Sequence, residues 1–192
     1  MPDLAKASQI VLRSYYSQAG LFYGSATGLN VGVGLIYDAI GYPLFNEESG
    51  VFETVEGRVY VLTHECDVDQ ANHRAYNSEI LVCPITPFED FCAQYEDEYS
   101  EGALFALLDV LGKDTVSRLM YVPPIPNHVH PTALKNGGVL YLNWITSTHI
   151  SFFGEGRANA VCAVSASGLR FIDAKLQGHL LREKAQWLPR YR

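Results

Sequence analysis

The sequence predicts an α+β domain built around a small barrel or strongly bent sheet. Strand-like runs fill residues 34–87 and return after residue 135, with two helical patterns between them and another at the end of the chain. Strands, inserted helices, returning strands and a terminal helix together are typical of this fold class. At 192 residues the chain is long enough for a substantial core, so we expect residues 1–192 to form a single domain.

The composition is that of a folded globular protein, with 48% hydrophobic and 18% charged residues. The net charge of −7 argues against a surface that binds nucleic acid by bulk phosphate attraction. A local basic pocket is still compatible with this charge.

The four cysteines form no CxxC pair and no regular framework, and the N-terminus does not resemble a signal peptide. The longest apolar stretches, such as GGVLYLNWI, fall short of the roughly 20 residues that cross a bilayer. We therefore expect a soluble, cytoplasmic protein with reduced thiols and no membrane association.

The first elements are a helix and a glycine-rich segment. Apolar residues in DLAKASQIVLRSYY, from residue 3, recur at close to helical spacing, which predicts a short opening helix. GLFYGSATGLNVGVG spreads five glycines over residues 20–34 and favours loops or bulged strands. It contains no GxGxxG, so a dinucleotide site is not indicated.

The middle of the chain alternates between strand and helix patterns. GLIYDAI, VFETV, RVYVLTH and SEILVCPI, each bounded by turn residues, predict a strand meander over residues 34–87. Apolar residues then recur every three or four positions from Phe88 to Leu111, which predicts two helices in an insertion at 88–135.

The chain closes with strands and a helix. GGVLYLNWI and ANAVCAV predict returning strands. A helix follows from Ser167, with an apolar stripe from Leu169 to Leu180 and an end near Pro189. Residues 136–188 would thus complete the barrel core begun at 34–87 and add the C-terminal helix.

The polar segment at residues 64–74, between two predicted strands, is unusually rich in reactive side chains. Its simplest interpretation is a polar connection in which Asx side chains bond their own backbone. A metal site is the second interpretation, with His128 and His130 as further candidate ligands, although HExxH spacing and an EF-hand glycine are missing. The residues concerned are His64, Glu65, Cys66, Asp67, Asp69, His73 and Arg74.

A thiol nucleophile is the third interpretation of this segment. His64 lies two positions from Cys66, a spacing of about 7 Å along a strand, which is too long for direct proton transfer. His73 would return across the loop and act as the better base. The alternative for Cys66 is a buried apolar thiol at a strand end.

The order of these elements resembles the MazF/PemK-type toxins. GLIYDAIGYP begins with Gly34, RVYVLTH opens with Arg58, and LVCPITP closes with Thr86, as in that family's strand–loop–strand pattern. The resemblance implies an SH3-like barrel and metal-independent cleavage of single-stranded RNA. The chain departs from the family at Val59, where proline is usual, and in residues 88–135, which have no counterpart.

The resemblance also implies roles for individual residues. Arg58 would hold the scissile phosphate, and Thr86 would donate a hydrogen bond to the same oxygen. His64 or His73 would act as acid or base. The structural alternatives are that Arg58 is a charged residue at the solvent-exposed edge of a strand and that Thr86 only favours strand formation. Substrate would also contact three further residues of the polar loop, Cys66, Asp67 and Arg74.

The resemblance places the protein in a bacterial toxin–antitoxin or defence system. Single-stranded RNA, an antitoxin or other protein partner and a second copy in a homodimer are the implied partners, and no cofactor is needed. Two alternatives stay open. One is a non-catalytic protein-interaction module on the same fold, and the other is a metal-dependent hydrolase that uses His64, Asp67 and His73.

The tryptophans and one acidic stretch each have both a structural and a functional interpretation. Trp144 and Trp187 could stack on bases, but aromatic residues in predicted strands are more often core. The acidic stretch EDFCAQYEDEYSEGA is most simply a solvated helical face, or else it covers a basic pocket or binds a basic partner.

Overall fold

The fold is described by a computed structural model that covers residues 6–7, 9–11, 22–24, 31–72, 78–98, 100–130, 133–154 and 159–180. The helices with described bounds are α1 (Glu65–Val68), α2 (Phe88–Glu98), α3 (Glu101–Gly112) and α4 (Ala166–Leu180). The strands are β1 (Tyr23–Gly24), β2 (Leu35–Asn46), β3 (Val51–Val61), β4 (Glu79–Pro87), β5 (Leu119–Val122), β6 (Gly138–Tyr141), β7 (Thr146–His149) and β8 (Asn159–Val164).

The strands form one eight-stranded antiparallel sheet in the order β1-β8-β2-β3-β4-β6-β5, with β7 beside β4. The predicted mixture of helices and antiparallel strands is therefore confirmed. The predicted barrel is not, because no backbone ladder joins β1 to β5 within the described ranges. The two edges nevertheless meet through a side chain, since the Tyr23 hydroxyl donates to the carbonyl oxygen of Pro123 at 2.6 Å.

The two faces of the sheet carry different cores. The inner face, which α4 covers, is defined by apolar side chains from seven strands, all but β7. The outer face carries two separate groups, one beneath α2 and α3 and the other beneath α1 and the 3-10 turn Ile150–Phe153. The inner-face residues include Ile36, Tyr60, Cys83, Leu140 and Cys162, with Ile172 of α4 packed among them.

The long β2–β3 hairpin reaches beyond the rest of the sheet. β2 pairs with β8 only as far as Asp38, and β3 pairs with β4 only from Val59 onward. Residues 42–56, which we call the arm, therefore form a two-stranded ribbon without a third strand among the described residues. A bulge at Ala39, whose φ is 58°, marks the place where the arm leaves the sheet.

Several sequence predictions differ from the structure in detail. VFETV and the RVYV part of RVYVLTH form one continuous strand, β3, which ends at Val61. The predicted insertion at 88–135 contains α2 and α3 as expected, but it also contributes β5 to the sheet, because that strand pairs with β6. α4 begins at Ala166, and the predicted end near Pro189 lies outside the described residues, as does most of the predicted opening helix.

Within the part of the chain that is described, no helix is long and apolar enough to span a bilayer.

Candidate functional site

The polar segment after β3 folds into a compact turn. It contains α1 and a 3-10 turn at Gln70–Asn72. The Asn72 side-chain amide donates to the carbonyl oxygen of Cys66 at 2.6 Å, and the Asp69 carboxylate accepts from the backbone N–H of Ala71 at 2.9 Å. Several of its polar groups are thus used locally, as the simplest interpretation of this loop predicts. His73 and Arg74 lie outside the described residues.

A cavity of about 540 Å³ lies beside this turn. Its lining joins the Cys66 thiol with two carboxylates, and His64 pairs at 3.6 Å with Glu65. Because the described lining has no cationic side chain, it does not favour a phosphate. Within the described ranges no three His, Cys, Asp or Glu side chains are grouped to hold a metal ion. The cavity is lined by Val31, Glu65, Cys66, Val68, Asp69, Asn72 and Ile150.

Arg58 is engaged in an ion pair within the sheet. Asp38 lies in the bulge that follows the Tyr37–Val59 pair, and its carboxylate contacts the Arg58 guanidinium at 2.6 Å. The Arg58 side chain is only 15% exposed. Burial raises the pKa of the neighbouring Cys162 thiol to about 12, although the Arg58 charge opposes that rise.

Thr86 lies on the other face of the sheet from Arg58. Tyr60 is paired with Cys83 on the inner face, so Arg58, two residues from Tyr60, also points inward. Thr86 pairs with Val139, whose side chain packs on the outer face beneath α2 and α3. The structure therefore does not bring Arg58 and Thr86 to one pocket.

A second group of polar side chains lies where α4 meets the loop before β5. Two cavities of about 290 Å³ and 560 Å³ share Ser117 and His179 in their linings, and we call them the paired cavities. The smaller is lined by Asp114, Thr115, Ser117, Phe171, Ala174, Lys175, Gly178 and His179. The larger is lined by Val116, Ser117, Arg118, Asn143 and His179.

A buried ion pair holds the wall of the smaller cavity in place. The Lys175 ammonium contacts the Asp114 carboxylate at 2.6 Å and donates to the Asp114 carbonyl oxygen at 2.9 Å. Lys175 is 7% exposed, so this contact anchors α4 to the turn that follows α3. The charges of Lys175 and Asp114 cancel each other. Arg118 and His179 are therefore the remaining basic groups of the described linings.

Two stacked rings, which we call the aromatic platform, flank in the chain a residue that lines the larger cavity. The Tyr141 and Trp144 rings stack with centroids 4.1 Å apart and planes 9° from parallel. Asn143, between them in the chain, lines the cavity, and the backbone N–H of Leu142 donates to the carbonyl oxygen of Arg118 at 2.9 Å. Trp144 is still 39% exposed, so the platform is available to a ligand.

The basic groups of the paired cavities were not identified from the sequence. Arg118 and His179 stand 61 positions apart (179 − 118), and neither belongs to a motif. Trp144 was the one part of this site that the sequence offered as a base-stacking candidate. The thiol and carboxylates of the 64–74 segment, in contrast, form a group that is visible in the sequence because they are adjacent in the chain.

Comparison with protein family models, curated proteins and solved structures finds no match for this chain. The geometry of the paired cavities and the aromatic platform therefore carries the functional interpretation.

Proposed function

We propose that this protein binds single-stranded RNA across the paired cavities, with a phosphate at their shared wall and bases on aromatic rings to either side. The observation that carries the proposal is the sharing of Ser117 and His179 by two cavities, one of which is also lined by Arg118 and by Asn143, the residue between the two stacked rings in the chain. Proteins that bind single strands combine such cationic tracks with stacking surfaces.

The shared wall has the donors that a phosphate requires. Arg118 is exposed and lines the larger cavity, where its guanidinium can offer two parallel N–H groups to one phosphate. His179 lines both cavities, and its Nδ1 atom is buried without a hydrogen-bond partner within the described chain. Ser117 also lines both cavities.

Aromatic surfaces are available for the bases. Trp144 stacks on Tyr141 and follows Asn143 of the larger cavity in the chain, and half-buried Phe171 lines the smaller cavity. Stacking of a base on such a ring stabilises binding by about 1–3 kcal/mol and tolerates any base. The arrangement favours a short stretch of single strand over a duplex, whose bases are already stacked.

The net charge of −7 limits the strength of this binding. With a local cationic site rather than a basic face, only one or two phosphates are neutralised, so the salt dependence is shallow. We therefore propose binding of a short segment, with loose sequence preference.

The binding part of the MazF/PemK resemblance is retained in this proposal, and the SH3-like barrel stays an interpretation of the bent open sheet. Cleavage that uses Arg58 and Thr86 together is not proposed, because their side chains lie on opposite faces. The metal-dependent alternative stays a prediction, because its ligand set includes His73, which lies outside the described residues.

Fluorescence anisotropy with a labelled single-stranded RNA in the presence of EDTA tests the proposal. We expect Trp144→Ala to raise Kd by about 5- to 150-fold, which corresponds to the loss of one stacked base. Arg118→Ala should weaken binding and lower the slope of log K against log salt by about 0.7. Arg170→Ala, at an exposed position of α4 outside both cavities, is the matched control.

Two outcomes would overturn the proposal. One is wild-type protein that does not bind the RNA at low salt, or that loses as much affinity with Arg170→Ala as with Arg118→Ala. The other is RNA cleavage in EDTA that Arg58→Ala abolishes and Arg118→Ala leaves intact, which would return the function to the site that the toxin resemblance implies.

A further inference from the structure

The tip of the arm exposes large apolar side chains. Phe52 is 72% exposed, Val51 54% and Phe45 49%, and the two phenylalanine rings contact each other edge to face with centroids 5.4 Å apart. Apolar groups clustered on a projecting element are typical of an interaction surface. A ribbon of two strands alone is also only marginally stable in water, so a partner would stabilise it.

The tip has a defined shape without any partner. The Asn46 side-chain oxygen accepts from the backbone N–H groups of Glu48 and Ser49 at 2.9 and 3.2 Å. The Asn46 amide donates to the Glu53 carboxylate at 2.9 Å, and Gly50 takes a φ of +70° that closes the turn. The phenylalanine rings are thus presented by a preformed turn, which lowers the entropic cost of docking.

The arm is strongly acidic. Its sequence, YPLFNEESGVFETVE, contains no lysine, arginine or histidine. Its partner must therefore offer an apolar socket with cationic groups at the rim. Pairing of β3 edges from two copies is disfavoured, because it would bring Glu53 and Glu56 of both copies together. The arm's acidic residues are Glu47, Glu48, Glu53 and Glu56.

The paired cavities of the same chain have this chemistry. Phe171, Ala174 and Gly178 provide an apolar floor, and the 290 Å³ cavity has room for a phenyl ring. A Cβ added at Gly178 would meet no atom within 4 Å, so the floor is open at that point. Arg118 and His179 supply basic groups beside it.

We propose that the arm tip of one copy docks into the paired cavities of a second copy, with Phe52 on the apolar floor and the glutamates facing Arg118 and His179. The contact joins two different surfaces of the chain, so it is head-to-tail. In this contact the glutamates take the position of the RNA phosphates, and Phe52 takes the position of a base. Self-association therefore competes with RNA binding. This competition rests on the proposed function, whereas the contact between the two copies does not rest on it.

Sedimentation velocity of the full chain without RNA, over micromolar concentrations at low and high salt, tests the contact. We expect association at low salt that weakens at high salt, because charge pairs at the rim are screened. Phe52→Ser and Glu53→Lys should each raise the dissociation constant by at least about tenfold. Glu101→Lys, an equal charge change at an exposed position of α3, should not.

Charge exchange makes the test specific. Arg118→Glu and Glu53→Lys should each associate weakly alone and associate with each other when mixed. Wild-type protein that stays monomeric at every concentration would overturn the inference, as would association that neither Phe52→Ser nor Glu53→Lys weakens. RNA binding by a monomer would refute the inference and leave the proposed function standing, and association without RNA binding would do the reverse.

Discussion

Arg58 and Arg118 illustrate how surroundings decide what an arginine can do. Arg58 sits across from Asp38 in the sheet, with 15% of its side chain exposed and its charge matched at 2.6 Å. A phosphate at Arg58 would have to displace that carboxylate. Arg118 is exposed at the edge of an open cavity, where an anion can approach it directly. Residue type and position in the chain do not distinguish the two.

The four thiols differ in the same way, which leads to a labelling prediction. Burial raises the pKa of Cys83, Cys92 and Cys162 to about 12, so these thiols stay protonated and unreactive near neutral pH. Cys66 is exposed in the turn after β3. We expect a thiol-alkylating reagent to modify the native protein at Cys66 alone, as measured by intact mass.

Cys66→Ser should abolish that modification in the native state, and denaturant should make all remaining thiols reactive. Rapid labelling of Cys162 in the native protein would contradict the buried position of β8 in the sheet.

At the scale of elements, the turn before β6 depends on one glycine. Gly137 has a φ of +85°, and a Cβ built there would lie 2.5 Å from both the Val122 carbonyl oxygen and the Tyr121 hydroxyl. Gly137→Ala should therefore lower the free energy of unfolding by at least about 2 kcal/mol, since backbone strain and a steric clash add together. Urea denaturation measures this change.

Gly102 in α3 provides the matched control. A Cβ there would meet no atom within 4 Å, and alanine favours helix over glycine, so Gly102→Ala should raise the free energy of unfolding by up to about 1 kcal/mol. Equal effects of the two substitutions would contradict the described turn.

The elements that sequence predicts well are the long ones. β4, β8, α2, α3 and α4 carry several consecutive apolar or turn positions that agree with one period, so local pattern and tertiary position coincide. β1, β5 and β7 are two to four residues long and are defined by the strands beside them. A pattern of that length cannot be distinguished from a loop, and this explains why β5 was assigned to a helical insertion.

At the scale of the whole molecule, the candidate site is a product of the fold. Ser117 and Arg118 precede β5, Asn143 follows β6, and Lys175 and His179 lie on the last helix. The ion pair between Lys175 and Asp114 brings α4 to the loop before β5. Only the aromatic part of the site, at Trp144, was identified from sequence, because nothing local links the other positions.

The net charge of −7 also hides two regions of opposite character. The acidic arm and the basic wall of the paired cavities lie on separate elements, so the average over the chain describes neither. RNA binding therefore depends on the charge of each region and not on the net charge of the chain.

Photocrosslinking of single-stranded RNA that carries 4-thiouridine, followed by mass spectrometry of the linked peptides, tests the central claim most directly. We expect crosslinks to Tyr141, Trp144 or Phe171, the rings on which bases stack, and we expect these crosslinks to be lost when unlabelled RNA is added in excess. Crosslinks concentrated in the 62–72 turn or around Arg58 and Thr86, with none on these three rings, would contradict it.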